Sequence, residues 1–285
     1  MSDSEDGWFA DVPSDDPAAA AAAVREGSAP APAAWPERAV AAGFADDKAD
    51  YYDRLREATT TAARTAVRER EGADDRRLVH AIRAMDDCLR VANELAERVA
   101  EWAGSTRETA GTGVDYAREL AAEGDDGDDG DDGDQGEPVV ALARRVRDLD
   151  DEADALRRHV ERTAPEVAPN LAAMAGRVLA ARLIALAGGL EALARKPAGT
   201  VQVLGAEEAL FAHLRGRAPS PKHGVIYAHE AVRGTHPDDR GSAARALAGK
   251  LAIAARVDHY SGERKPELDA ELADRIERIQ ARETG

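Results

Sequence analysis

Two stretches of this sequence repeat apolar residues at alternating spacings of four and three, and they constrain the fold more than any other feature. The first stretch consists of Leu78, Ile82, Met85, Leu89, Ala92, Ala96, Val99 and Ala103. The second consists of Val139, Leu142, Val146, Leu149, Ala153, Leu156 and Val160. This spacing is typical of the apolar seam of a coiled coil. Two such seams joined by a linker predict an antiparallel helical hairpin, which we assign to residues 51–163.

The linker between the seams contains the segment GDDGDDGDDGDQG at residues 124–136. Its Asp/Gly periodicity suggests calcium binding, but the ligand spacing and the terminal Glu of an EF-hand loop are absent. The composition instead favours a solvated, flexible acidic loop at the tip of the hairpin. We therefore expect no metal ion here.

The balance of charge restricts the partners of this chain. It carries 55 Asp and Glu residues against 38 Lys and Arg, a formal net charge of −17. An average potential of this sign repels nucleic acid phosphates and anionic membranes. Only five of the basic residues are lysines, and an excess of carboxylates with few lysines is typical of the solvated acidic surface of a protein from a high-salt cytoplasm. A single cysteine, Cys88, fits a reducing compartment. No signal peptide or long apolar run is visible, so we expect a cytoplasmic protein with no membrane contact.

One region of the sequence has a positive charge balance, in contrast to the negative net charge of the chain. Residues 164–265 hold 14 basic and 9 acidic residues, a balance of +5, together with five of the seven histidines. This basic island is where we expect a polyanion to bind.

The remaining segments predict a mainly α fold in four parts. Residues 1–50 are rich in Ala, Pro and Asp, which indicates a reduced N-terminal segment that is loosely packed at most. Leu171–Arg195 reads as a pair of buried helices broken at Gly188 and Gly189. Thr200–Leu204 is rich in β-branched residues and predicts an extended segment. Residues 266–285 predict a C-terminal helix.

The chemistry-bearing motif of the basic island is Pro221-Lys222-His223-Gly224. In an extended loop, a lysine can contact a phosphate while an imidazole stacks on an unpaired base. An ordinary basic surface loop explains the same four residues equally well. No nucleophile elbow, phosphate-binding loop, dinucleotide motif or zinc-protease motif occurs in the sequence, so we expect neither an enzyme nor a cofactor.

Three segments around this motif resemble the Nop domain of box C/D ribonucleoprotein scaffold proteins. They are VQVLGAEEALF at 201–211, PKHGVIYAH at 221–229 and ALAGKLAIAARVD at 246–258. The segments DRRLVHAIRAMDDCLRVANELAERVAEW and RRVRDLDDEADALRRHVERTAPEVAPN resemble the two coiled-coil helices of the same family. The resemblance extends over residues 51–265 and places the Nop domain at 164–265.

This resemblance implies a non-catalytic scaffold that binds a kink-turn guide RNA together with its ribosomal-type kink-turn-binding protein. The scaffold also holds fibrillarin, the enzyme that methylates ribose 2′-hydroxyls at guided sites, and forms a homodimer through its coiled coil. Carried onto this sequence, the RNA contacts are Lys222, His223, Gly224, Gln202, Gly205, Ala206, Arg245 and Lys250. The dimer contacts would be the seam residues Leu78, Ile82, Met85, Leu89, Val146, Leu149 and Leu156.

The sequence departs from the family pattern in ways that leave alternatives open. Glu208 stands where the family usually has a lysine, and only about fifty residues precede the coiled coil where the family has a folded α/β domain. A spliceosomal-type Nop protein that acts without fibrillarin is one alternative. A coiled-coil adaptor whose basic island binds an acidic protein is another. Arg256 could lie beside Arg245 on one helical face or could pair with Asp258.

Overall fold

The structure is a computed structural model that describes residues 7–13, 15–28, 31–107, 109–125 and 138–281. Helices and turns make up these residues, without a β-strand among them, which confirms the mainly α fold class. Contacts divide the chain into two compact units, Met1–Ala73 and Asp74–Gly285.

Where the structure describes it, the first unit contains three helices, α1 (Pro17–Glu26), α2 (Trp35–Ala41) and α3 (Lys48–Glu71). Their core is an aromatic cluster in which Phe9, Phe44 and Tyr51 are buried. The Trp8 indole Nε1 donates a hydrogen bond to the Tyr51 hydroxyl at 3.3 Å. The described part of residues 1–50 is therefore more closely packed than its composition indicates, because Phe9 and Phe44 are buried against Tyr51.

The boundary between the units follows α3. This helix packs on α1 and α2, so residues 51–73 belong to the first unit, whereas we assigned them to the hairpin from the sequence. The hairpin begins at Asp74, immediately after the C-terminal turn at Gly72 and Ala73.

The second unit begins with α4 (Asp74–Thr106), α5 (Gly113–Asp125) and α6 (Pro138–Val167). The start of α4 shares a core with the end of α6, where Leu78 and Ile82 are buried with Val160. The end of α4 shares a second core with the start of α6, where Val99 and Ala103 are buried with Val139, and α5 packs there. These two cores show that α4 and α6 are antiparallel. Beyond Asp125, the predicted acidic loop lies outside the described residues.

Four of the seven seam residues assigned to a dimer interface are buried within this chain. Leu78, Ile82, Met85 and Val146 are at most 1% exposed. The half-buried Leu89, Leu149 and Leu156 pack against the same two cores. Leu78, Ile82, Met85 and Val146 therefore have almost no surface left for a second copy, because residues of the same chain already cover them, whereas Leu89, Leu149 and Leu156 keep part of their surface exposed.

Among its described residues, nine further helical segments complete the second unit. They are α7 (Pro169–Ala175), α8 (Arg177–Ala187), α9 (Leu190–Ala194), α10 (Ala198–Val203), α11 (Glu207–Leu214), a 3₁₀ turn (Val225–Ala228), α12 (Glu230–Arg233), α13 (Arg240–Tyr260) and α14 (Glu267–Gln280). The long helix α13 is central, since α7, α9, α10, α12 and α14 all pack against it. Its alanine-rich buried face lets these neighbours approach closely.

Two local predictions need correction. The predicted helix pair within 171–195 has a further break at Gly176, whose φ of 81° is readily adopted by glycine. Thr200–Leu204 is helical over most of its length rather than extended. Val201 is fully buried in the core, and that packing outweighs the β propensity of the segment.

The base of the hairpin is tied to α8 and α9 by polar contacts. Arg83 donates to the carbonyl of Ala185 at 3.2 Å near the end of α8, and the Asp75 carboxylate accepts from Leu190 N at 2.9 Å at the start of α9. Asp86 accepts from Arg182 at 3.0 Å. These contacts hold the base of the hairpin against α8 and α9.

Among the described residues, no single helix is long and apolar enough to cross a membrane. The helices α7 and α8 together have the required length and apolar content, but the chain bends by 118° between them.

Candidate RNA interface

Hydrogen bonds connect the loop at residues 221–224 to the end of α10 and the turn that follows it. Gly224 N donates to Gln202 O at 2.8 Å, and Val225 N donates to Leu204 O at 2.8 Å. In the opposite direction, the Gln202 side chain donates to Lys222 O at 2.7 Å. The two segments are twenty residues apart in sequence, and these bonds give the loop one fixed path.

Two glycines make this close approach possible. A Cβ on Gly224 would lie 1.9 Å from the carbonyl oxygen of Leu204, which is far inside van der Waals contact. Gly205 has a φ of +80°, and a Cβ there would lie 2.7 Å from Val225 Cγ1. Both positions therefore require glycine for the loop to lie against the turn.

His223 is a half-buried imidazole next to an exposed lysine. Its ring stacks on Tyr227 with a centroid distance of 4.6 Å and an interplanar angle of 22°. Arg240 lies over the same Tyr227 ring, with Cζ at 5.5 Å from the centroid. Burial lowers the pKa of His223 from its ordinary value, and the nearby charges of Arg240 and Lys222 lower it further. These effects favour the neutral form of the imidazole, which lies beside the exposed Lys222 side chain.

Carboxylates of α11 itself lie at the start of this helix. Gly205 N donates to the Glu207 side chain at 2.9 Å, and Glu208 follows in the same first turn. Ala206 is the N-cap residue and provides no side-chain cap. Any phosphate at this helix end would have to displace or approach these acidic groups.

Arg245 and Lys250 stand apart from the loop. Arg245 is exposed on α13, one turn beyond Gly241, which faces the Lys222 side chain. Lys250 forms an ion pair with Glu271 of α14. The structure thus brings together Gln202, Gly205, Lys222, His223 and Gly224, places Arg245 at their edge and leaves Lys250 with an acidic partner.

Two residues that the sequence analysis missed complete the surroundings of His223. Tyr227 supplies the stacking ring, and Arg240 supplies both the cation over that ring and hydrogen bonds to backbone carbonyls, including Thr235 O at 3.0 Å. Tyr227 lies within the PKHGVIYAH segment four residues after His223, and this proximity was an available signal. Arg240 is seventeen residues away from His223, and the sequence contains no signal that the two residues are close.

Of the alternatives for Arg256, the pairing with Asp258 is not the one that forms. Arg256 donates to the carbonyl oxygens of Ala194 and Lys196 at 3.0 and 3.2 Å, near the end of α9. Asp258 instead accepts hydrogen bonds from Asn170 and Leu171. Within the described ranges, no three His, Cys, Asp or Glu side chains converge to hold a metal ion.

Comparison with known families matches most of the chain. The family model described as "Nop: snoRNA binding domain, fibrillarin" matches residues 77–281. The match therefore begins in the hairpin and ends after α14, and it includes the loop at 221–224.

Similar curated proteins are found in archaea and eukaryotes. An uncharacterised NOP5 family protein of Methanocaldococcus jannaschii is 49% identical over 141 residues, which cover 50% of this chain and 34% of that protein. Nucleolar protein 58 of Candida albicans is 40% identical over 48% of this chain and 27% of its own length. Nucleolar protein 56 of Dictyostelium discoideum is 39% identical over 48% of this chain and 26% of its own length. The chain thus spans about a third or less of the length of these relatives.

A solved structure shares the architecture over nearly the whole chain. The crystal structure of a fibrillarin/Nop5p complex matches with a TM-score of 0.54 and 25% sequence identity, covering 91% of each chain. Since the family model covers more than two thirds of the sequence and the helical architecture agrees, the chain belongs to the Nop family.

Proposed function

We propose that this chain is a non-catalytic scaffold of a box C/D guide ribonucleoprotein. It binds a kink-turn RNA together with the kink-turn-binding protein and holds fibrillarin, which methylates the ribose 2′-hydroxyls of guided RNA. Membership of the Nop family supports RNA binding, and the likeness to the Nop5p chain of a fibrillarin complex supports the choice of enzyme partner.

The main support for an RNA contact is the loop at 221–224, which hydrogen bonds hold in one path beside α10. Its hydrogen bonds with Gln202 and Leu204 settle the loop path before any ligand arrives, so little conformational entropy is lost on binding. The loop presents the His223 imidazole, whose neutral form is favoured, beside the exposed Lys222 side chain. These groups suit an unpaired base and the adjacent phosphate of a folded RNA.

Contact-range interactions fit an acidic chain. At about 1 M salt the Debye length is about 3 Å, so long-range attraction or repulsion between the net charge of −17 and RNA is largely screened. Hydrogen bonds, stacking and shape then supply the affinity, and a rigid loop is better suited to these than a diffuse basic surface.

The test is a high-salt gel shift on a preformed complex of box C/D guide RNA and the kink-turn protein. We expect the wild-type chain to add a further shift, and the Lys222→Ala/His223→Ala variant to bind at least tenfold more weakly. A charge-matched control is Lys196→Ala/His259→Ala, which changes residues around the far end of α13. His259 lies about 28 Å along the helix from Arg240 at 1.5 Å per residue. This control should bind like the wild type.

A folded wild-type chain that gives no further shift would refute the scaffold and leave the adaptor alternative. Equal weakening by both variants would show that the loop contributes only its charge.

A methylation assay distinguishes a scaffold from an enzyme. We expect guided methyl transfer only when fibrillarin is present, and none from this chain with S-adenosylmethionine and RNA. Methylation by the chain without fibrillarin would contradict the non-catalytic role.

The proposal includes a homodimer and a cytoplasmic assembly. Because Leu78, Ile82, Met85 and Val146 are buried within the chain, a dimer would use exposed faces of the hairpin together with the half-buried Leu89, Leu149 and Leu156. Sedimentation equilibrium at high salt measures the mass directly, and a monomer at micromolar concentration would contradict this part.

A further inference from the structure

The groove between α13 and α14 concentrates arginines that the loop contact does not use. It has a volume of about 630 Å³ and is lined by four basic side chains and two acidic ones, namely Arg245, Lys250, Arg275, Arg278, Glu271 and Asp274. This local excess of two positive charges lies in a chain whose formal net charge is −17.

The cations of the groove differ in how far they are already paired. Lys250 is neutralised by its ion pair with Glu271. Arg278 is exposed and uses Nε to donate to the Asp274 carbonyl of its own helix at 3.0 Å. Arg245 and Arg275 are exposed and form no ion pair with another described residue. Three guanidinium groups are therefore available to an anion.

These three arginines lie at the end of the groove that adjoins the loop at 221–224. Lys250 of α13 forms an ion pair with Glu271 of α14, and Arg245 lines the same groove as Arg275 and Arg278. Gln280 near the end of α14 donates to Thr235 Oγ1 at 3.1 Å, just before α13 begins. The C-terminal end of α14 and the N-terminal end of α13 are thus neighbours.

The helical geometry of α13 links the groove to the loop. A Cβ on Gly241 would lie 3.9 Å from Lys222 Cδ, so Lys222 passes over this turn. Arg245 follows four residues later, which is about 6 Å along the helix and about 40° around it. Arg245 is therefore the next basic residue along α13 after the turn that Lys222 passes over.

We propose that Arg245, Arg275 and Arg278 form a second RNA-backbone site that continues the contact of the loop along the groove. The inference rests on the proposed function and extends its footprint to α14. Planar guanidinium groups bind phosphate oxygens bidentately, which remains effective at contact range in high salt. Contacts of this kind position an RNA without reading its bases.

The test compares Arg275→Ala/Arg278→Ala with a matched control, Arg157→Ala/Arg158→Ala on α6. Both variants remove two positive charges from helix surfaces of the second unit. Affinity for the RNA and kink-turn protein complex is measured at several salt concentrations at which circular dichroism shows a folded chain. Each lost phosphate contact lowers the slope of log K against log salt by about 0.7 for a single strand. We expect a slope smaller by about 1.4 for the groove variant and an unchanged slope for the control.

A second measurement distinguishes RNA from protein in the groove. Ser242 lines the groove, so a photoreactive group attached to Ser242→Cys in a Cys88→Ala background should crosslink to RNA. Crosslinking to the kink-turn protein alone would overturn the proposal in favour of a protein contact. A groove variant that binds with the wild-type affinity and slope would overturn it while leaving the proposed function intact. Failure of the wild-type chain to bind would refute both.

Discussion

Gly224 and His223 are neighbours in the loop, yet different physical effects determine their roles. Gly224 is required because the Leu204 carbonyl occupies the space of a side chain. His223 is controlled electrostatically, because burial and two nearby cations all disfavour its protonated form. The motif is visible in the sequence, but neither of these reasons is.

Replacing Gly224 by Ala should lower the free energy of unfolding by about 1–3 kcal/mol, since the added methyl group must push the loop away from the turn after α10. The same displacement should weaken RNA binding. Gly199→Ala is the matched control, because a Cβ there meets nothing within 4 Å, and its stability should be unchanged or slightly higher. Chemical denaturation measures both variants, and equal stability would show that the loop is not held against Leu204.

The imidazole of His223 should titrate below the ordinary histidine pKa of about 6.5. Replacing Arg240 by Gln should move this pKa upward, but only partly, because burial is the larger cause. Since the unfolded chain binds this proton more readily, His223 should reduce stability as the pH falls below about 6.5. NMR titration measures the pKa, with His223→Gln identifying the resonance. A pKa above the ordinary value would contradict the stated environment.

At the level of helices, α7 depends on a cap from another helix. Its N-cap residue is Ala168, which has no polar side chain, and Asp258 of α13 takes that role. The carboxylate accepts from Asn170 N, Leu171 N and the Asn170 side chain at 2.7–2.9 Å. Asn170 in turn accepts from Lys265 N at 2.6 Å, so α7, α13 and the turn before α14 are joined at one buried point.

The substitution Asp258→Ala should lower the free energy of unfolding by about 3 kcal/mol or more, because it leaves several donors without an acceptor, most of them buried. Glu263→Ala is the control: its side chain is exposed, and its carbonyl, which accepts from Asn170, remains. We expect a change within about 0.5 kcal/mol for the control. Similar midpoints for the two variants in thermal unfolding would show that the Asp258 network is not important for stability.

For the whole molecule, net charge is the dominant electrostatic property. A formal charge of −17 repels itself in the compact state, and screening by salt reduces that repulsion. The melting temperature should therefore rise as KCl is increased from 0.1 M to 1 M and beyond. Changing the seven Asp residues within 124–136 to Asn should reduce this salt dependence. A melting temperature that falls with salt would indicate that surface ion pairs outweigh the repulsion.

The hairpin shows which features the local sequence predicts and which depend on tertiary packing. Spacings of four and three within a single helix placed α4 and α6, because helical periodicity is local. The same spacings could not tell whether the seam faces the other helix of the same chain or a second copy, since both arrangements bury identical side chains. The choice was made by the fold, which pairs Leu78 and Ile82 with Val160 across about eighty residues of sequence.

The sequence by itself determined the helical class, most helix positions and the loop motif at 221–224, because periodicity, glycine, proline and short motifs act over a few residues. Only the tertiary structure decided that Tyr227 and Arg240 surround His223, that Asp258 caps α7 and that three arginines of α13 and α14 share a groove. These arrangements depend on which helices pack together. That outcome is a property of the whole core, in which residues far apart in sequence compete for the same buried space.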